Sequence, residues 1–253
     1  MGALKQSHIV PRFILIKSKG RRGRMVGLRG SHDTIALSQE DWKQPLLCGE
    51  CEHLIATRYE RFLNEILYLR RLRKPIFKSV RQITLWGSTN NFALALLSIF
   101  WRGAVSDLPQ FRLTIAPDYV LEDLRLWILS NSIPSDWNKF VTIRVKEVCD
   151  LQGQRLEALL PAFHRASEGQ HEFVFVCGGY MFCFGIPVPP NHRFSRSQEL
   201  KAHSNVIRIE RVPFNEVPEI KERIDVMLNA PIPDDVRIVL ESEGLREAKR
   251  DAR

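Results

Sequence analysis

Between Thr89 and Val105 the apolar residues Phe92, Leu94, Ala95, Leu97, Ile99, Phe100 and Trp101 spread around almost the whole circumference of a helix. A helix that is hydrophobic on every side has to be covered on every side. The chain must therefore wrap further layers around this segment, and 253 residues, 44% of them hydrophobic, suffice for that. Ser88 or Thr89 is placed to cap it. The run from Phe92 to Trp101 is about half of the ~20 residues that a membrane-spanning helix needs. The opening Met-Gly-Ala-Leu-Lys-Gln-Ser-His has no apolar signal core, and Gln6 stands where a myristoylation motif has Ser or Thr. The reading is a soluble, cytoplasmic protein with no membrane partner.

The covering layers show in the periodicity. From Glu52 the residues Leu54, Ile55, Tyr59, Phe62, Leu63, Ile66 and Leu67 recur at helical spacing, and Pro75 is the expected stop. Further helices are expected at 119–129, at 155–167 with a kink at Pro161, and at 216–229. Strand-like runs occupy 8–16, 33–37, 140–148, 172–177, 180–186 and 205–212. Gly178-Gly179 between two such runs predicts a hairpin over 172–186 with a primed turn. Cys177 and Cys183 on its arms read as small buried hydrophobes. Residues 187–204 read as a loop and the charged terminus as a frayed tail. These elements predict an α+β fold.

The formal charge of +8 is unevenly placed. Residues 1–81 hold seventeen Lys and Arg against seven Asp and Glu, whereas the remainder carries a net charge of −2. Lys17, Lys19, Arg21, Arg22 and Arg24 form one cluster; Arg70, Arg71, Arg73 and Lys74, with Lys78 and Arg81 beyond, form another. Such clusters neutralise phosphates and point to a nucleic-acid partner, DNA before RNA. Five cysteines are too few, and odd in number, for a secreted disulfide framework. Cys48-Gly49-Glu50-Cys51 is instead a C-x-x-C pair suited to metal or redox chemistry. A redox pair wants a βαβ context that is not legible here, so metal is preferred.

Two motifs give that pair a setting. Ser7-His8-Ile9-Val10-Pro11 precedes Leu47-Cys48-Gly49-Glu50-Cys51-Glu52-His53, which runs into the helical pattern. In this order they resemble HNH-type endonucleases, the ββα-metal or treble-clef fingers. The match is closer to a group of bacterial HNH-like proteins with S-H-I-I-P, L-C-x-x-C-E, a further helical Glu and a later L-S-x-x-W-R helix, here Leu97-Ser98-Ile99-Phe100-Trp101-Arg102. The likeness covers about the first 105 residues. It implies an N-terminal finger, 1–81, joined to a mixed helix and antiparallel-sheet domain, 82–253. It also implies a metal-dependent endonuclease, used against foreign DNA, with His8 as general base and Glu52 and Glu60 as the acidic partners of a catalytic Mg or Mn. Cys48, Cys51 and His53, with His8 or His32, would supply a structural zinc. Residues 51, 52 and 53 point about 100° apart on one helix, so not all three can aim at one ion.

The family's first C-x-x-C is missing, Ser7 stands where the pattern has Asp or His, and Glu52 stands where it has His. A second reading follows from these departures: a non-catalytic nucleic-acid-binding or interaction protein that keeps the scaffold. Arg102, at a helix end, reads as a surface residue. His164, His171, His192 and His203 show no ligand spacing. Gly-rich phosphate loops, nucleophile elbows and H-E-x-x-H runs are absent from the sequence.

Overall fold

In the computed structural model the described residues are 3–19, 25–29, 34–38, 41–69, 77–78, 81–137, 140–156, 159–167, 170–187, 200 and 203–229. Arg21, Arg22, Arg24, Arg70, Arg71, Arg73, Lys74 and His32, most of the expected loop at 187–204 and the charged tail lie outside them. The architecture is mixed α/β, with antiparallel and mixed sheets.

The chain opens with β1 (Lys5–His8), and Pro11 then ends the extended run by starting α1 (Arg12–Ser18). The strand expected over 8–16 is therefore mostly helix. Proline has no N–H to give a strand partner, and its carbonyl takes the Ile14 amide at 2.9 Å. β2 (Met25–Arg29) and β3 (Thr34–Ser38) form a separate antiparallel pair. β4 (Lys43–Leu47) returns antiparallel to β1. It leads into one uninterrupted helix over 49–67, made of α2 (Gly49–Leu54), a π-helical stretch (Ile55–Glu60) and α3 (Arg61–Leu67). That helix stops before Pro75 because Tyr68 leaves it: its ring packs edge-on to Phe13 and Tyr180, and its hydroxyl donates to the Gly178 carbonyl at 2.8 Å.

The apolar helix of the sequence is α4 (Thr89–Ala104), capped by Ser88, whose hydroxyl accepts the Asn91 amide. Phe92 through Phe100 are all buried. α5 (Asp118–Ser130) packs against it. Tyr59 ties the long helix to the end of α5, its hydroxyl donating to the Ile128 carbonyl at 2.6 Å.

A seven-stranded sheet closes the core. It is built from β5 (Phe77–Lys78), β6 (Gln82–Trp86), β7 (Thr142–Cys149), β8 (Leu159–Ser167), β9 (Gln170–Cys177), β10 (Tyr180–Pro187) and β11 (Val206–Pro213). Their order is β5-β6-β11-β7-β10-β9-β8, antiparallel except where β11 runs beside β7. Side chains alternate as a two-residue period demands. Phe173, Phe175, Tyr180, Phe182 and Phe184 enter the main core, whereas Val174, Val176, Met181 and Cys183 face the second core under α6 (Pro218–Asn229). Gly178 and Gly179 take φ of 60° and 85° in the turn, which is the conformation of a primed hairpin.

The helix expected at 155–167 is strand β8. Pro161 falls where its pairing with β9 shifts register, on the sheet edge, the position in which a strand tolerates proline. Ion pairs of Arg144 and Arg165 with Glu172, and of Arg165 with Glu219, tie this edge to α6. Residues on both sides of position 81 share the main core: Ile9, Ile14 and Leu63 belong to the same buried cluster as Phe175 and Phe182.

Candidate active site around His8

His8 ends β1, where the backbone register sets it opposite Lys43. Beyond it the Ile9 amide donates to the Trp42 carbonyl at 2.8 Å, and Ile9 and Val10 are wholly buried. The apolar Ile-Val-Pro run thus anchors the motif while the imidazole stays half-exposed. Its Nε2 is buried and has no hydrogen-bond partner among the described residues. Burial holds the His8 pKa below its ordinary value, against the opposing pull of Asp41 and Glu60 and with the help of Lys43 and Arg12. The neutral ring, able to accept a proton, is therefore favoured.

Arg102 reaches this point from α4. Its side chain is wholly buried; Nη1 donates to the His8 backbone carbonyl at 2.6 Å and to Glu60 Oε1 at 2.8 Å, and Nε donates to the Ser98 carbonyl at 3.1 Å. The surface role expected of Arg102 is corrected here: a guanidinium out of water needs full pairing, and the His8 backbone and Glu60 provide much of it. Nη2 is buried without a hydrogen-bond partner among the described residues. Asp41 is held by Lys19 at 2.5 Å, a bond that lowers the carboxyl's pKa. Asp41 was not singled out from sequence, because only the folding back of the strand entering β4 brings it near His8.

Glu52 and Glu60 sit on one helix, eight residues apart. In an α-helix that separation places them about 80° apart around the axis. The Arg61 amide bonds the Ala56 carbonyl, five residues back, so the π turn takes up one extra residue. The two glutamates are then about 20° apart. Glu52 Oε2 is buried with no hydrogen-bond partner among the described residues. Ser7 is buried, its hydroxyl turned back to the Lys5 carbonyl.

The two thiols lie elsewhere. Leu47 pairs with Lys5, so Cys48 leaves the opposite end of the ribbon from His8, about 13 Å along the strand once the register shift between Lys5 and Gln6 is allowed for. His53 is exposed on the helix. Among the described residues no three His, Cys, Asp or Glu side chains gather closely enough to hold a metal ion. Cys48 and Cys51 thus offer zinc two sulfurs where a structural site takes four donors. Around His8 the oxygen donors suit a magnesium-type ion by chemistry, but Asp41 is engaged by Lys19 and Glu60 by Arg102. Of the basic residues within the described set, Lys17 is exposed with its ammonium 5.8 Å from the Tyr68 ring centre, and Lys19 is committed to Asp41. No helix of the described residues is long and apolar enough to cross a membrane.

The chain matches no family model, no curated protein and no solved structure.

Proposed function

We propose that this chain is an HNH-like nucleic-acid-processing protein in which His8 is the general base of phosphodiester hydrolysis. The observation that carries the reading is the setting of His8: it ends a ribbon strand whose partner leads directly into the glutamate-bearing helix, with no hydrogen-bond partner for its Nε2 among the described residues. A strand-ending histidine held neutral by burial can take a proton from water attacking a phosphorus centre. Glu60 and Asp41 favour the imidazolium once it forms, and Arg102 fixes the backbone that carries the ring. The excess of positive charge in residues 1–81 supports a polyanionic substrate, DNA before RNA.

The test is cleavage of supercoiled plasmid and of single-stranded oligonucleotides, with and without Mg or Mn. Nicking by the native chain that falls to background in His8→Ala supports the reading. A native chain that cuts none of these substrates defeats it.

A second reading, binding without cleavage, is favoured by the pairing of Glu60 with Arg102, which leaves that carboxylate committed within the protein. A gel shift that weakens steeply with salt, and is retained in His8→Ala, supports it.

A further inference from the structure

We propose that Cys48 and Cys51 form a redox dithiol that closes to a disulfide by exchange with a low-molecular-weight disulfide. This goes beyond the reading of His8 and does not depend on it. β4 runs straight into the helix, and Cys48 is the residue at the junction: its sulfur accepts the Cys51 amide at 3.4 Å. The C-x-x-C spacing therefore brings both sulfurs to the first turn, side by side and partly exposed. That is the strand-to-helix placement a redox pair needs, reached here without a βαβ unit.

The two thiols are not equivalent. Cys48 stands at the N-cap of the 49–67 helix, where its sulfur accepts the Cys51 amide and faces the positive end of the helix, a setting that favours a thiolate there. Cys48 is then the attacking sulfur and Cys51 the resolving one. The other three cysteines are buried and all have raised pKa values, with burial pushing Cys177 and Cys183 up to about 12. Reactivity is thereby confined to the pair. A zinc knuckle would occupy the same sulfurs, but the described residues bring no third donor to them.

The exchange balances in two steps. The Cys48 thiolate attacks one sulfur of RSSR, forming a Cys48–SR mixed disulfide and releasing RS⁻. The Cys51 thiol then loses its proton and attacks the Cys48 sulfur, expelling the second RS⁻ and closing the bond. The dithiol gives up two electrons and two protons, and RSSR becomes two RSH.

The experiment treats the full chain with oxidised glutathione, quenches with iodoacetamide and maps the cysteines by mass spectrometry. The expected result is a disulfide within the peptide holding residues 48 and 51, reopened by dithiothreitol, while Cys149, Cys177 and Cys183 stay reduced. Cys51→Ser should trap glutathione on Cys48, and Cys48→Ser should carry about tenfold less adduct on Cys51. The native chain's disulfide needs no variant, so misfolding of either variant leaves the test intact. Failure of the native chain to form the bond, equal adducts on both single variants, or zinc that co-purifies and shields both thiols would overturn the proposal. None of these outcomes bears on plasmid cleavage.

Discussion

Arg102 and Glu60 form an ion pair with 2.8 Å between Nη1 and Oε1, the guanidinium wholly buried and the carboxylate side chain 21% exposed. The same Nη1 holds the His8 carbonyl, so one nitrogen joins β1, the long helix and α4. Removing either partner leaves a charge in a poorly hydrated site. Arg102→Met is expected to lower the unfolding free energy by about 3 kcal/mol, measured by urea denaturation. Glu60→Gln should cost less, since its amide oxygen can still accept. Additive losses in the double variant would show that the pair is not coupled.

His8 gives a distinct pH signature. Its folded pKa lies below the unfolded value near 6.5, so the unfolded chain binds the proton first as pH falls. The associated stability is present above that value and is lost through the mildly acidic range, until the folded protein also takes up the proton. Asp41, lowered by Lys19, acts in the same sense but only below about 3.8. The difference in melting temperature between native chain and His8→Gln should therefore change between pH 7 and pH 5. A constant difference across that range would contradict the assignment.

Two glycines with positive φ, Gly178 in the hairpin turn and Gly153 in the turn after β7, separate two costs of adding a methyl group. At Gly178, φ +60°, a Cβ would run into the Tyr68 hydroxyl and lie 3.0 Å from the Ile14 carbonyl oxygen. Gly153, φ +77°, has nothing within 4 Å. Gly178→Ala should cost roughly 3 kcal/mol and Gly153→Ala about 1 kcal/mol, the backbone strain alone. Thermal unfolding of the two variants side by side is the check.

Tyr59→Phe removes one buried hydroxyl while keeping the ring. Its loss leaves the Ile128 carbonyl without that donor, and a destabilisation of about 1 to 2 kcal/mol is expected in chemical denaturation.

Lys17 and Lys19 should behave differently toward nucleic acid. Lys17→Ala is expected to weaken a gel shift and reduce the dependence of log affinity on log salt by about one unit. Lys19→Ala should leave that slope unchanged, because its ammonium already serves Asp41.

Much of the architecture was legible from apolar spacing. α4, α5, α6, the hairpin of β9 and β10, and β11 appear within about two residues of where periodicity and the Gly-Gly turn place them. The failures have physical causes. Pro161 suggests a helix kink, but its neighbours Leu159, Leu160, Ala162 and Phe163 suit an edge strand equally well. That error hid His164 and His171, whose ring nitrogens meet at 2.7 Å across β8 and β9. At the site, His8, Glu52 and Glu60 were visible as motif letters. The burial of Arg102 was not, because position 102 follows an apolar run that says a helix is covered without saying where its last turn points.

β11 lies between β6 and β7, so the middle of the sheet is filled by a strand synthesised after its other members. A ribosome-bound chain that has not yet released residues 206–213 exposes two unpaired strand edges, at β6 and β7, each able to zip onto a neighbouring nascent chain. The speed of translation beyond residue 213 therefore bears directly on the yield of correctly assembled molecules.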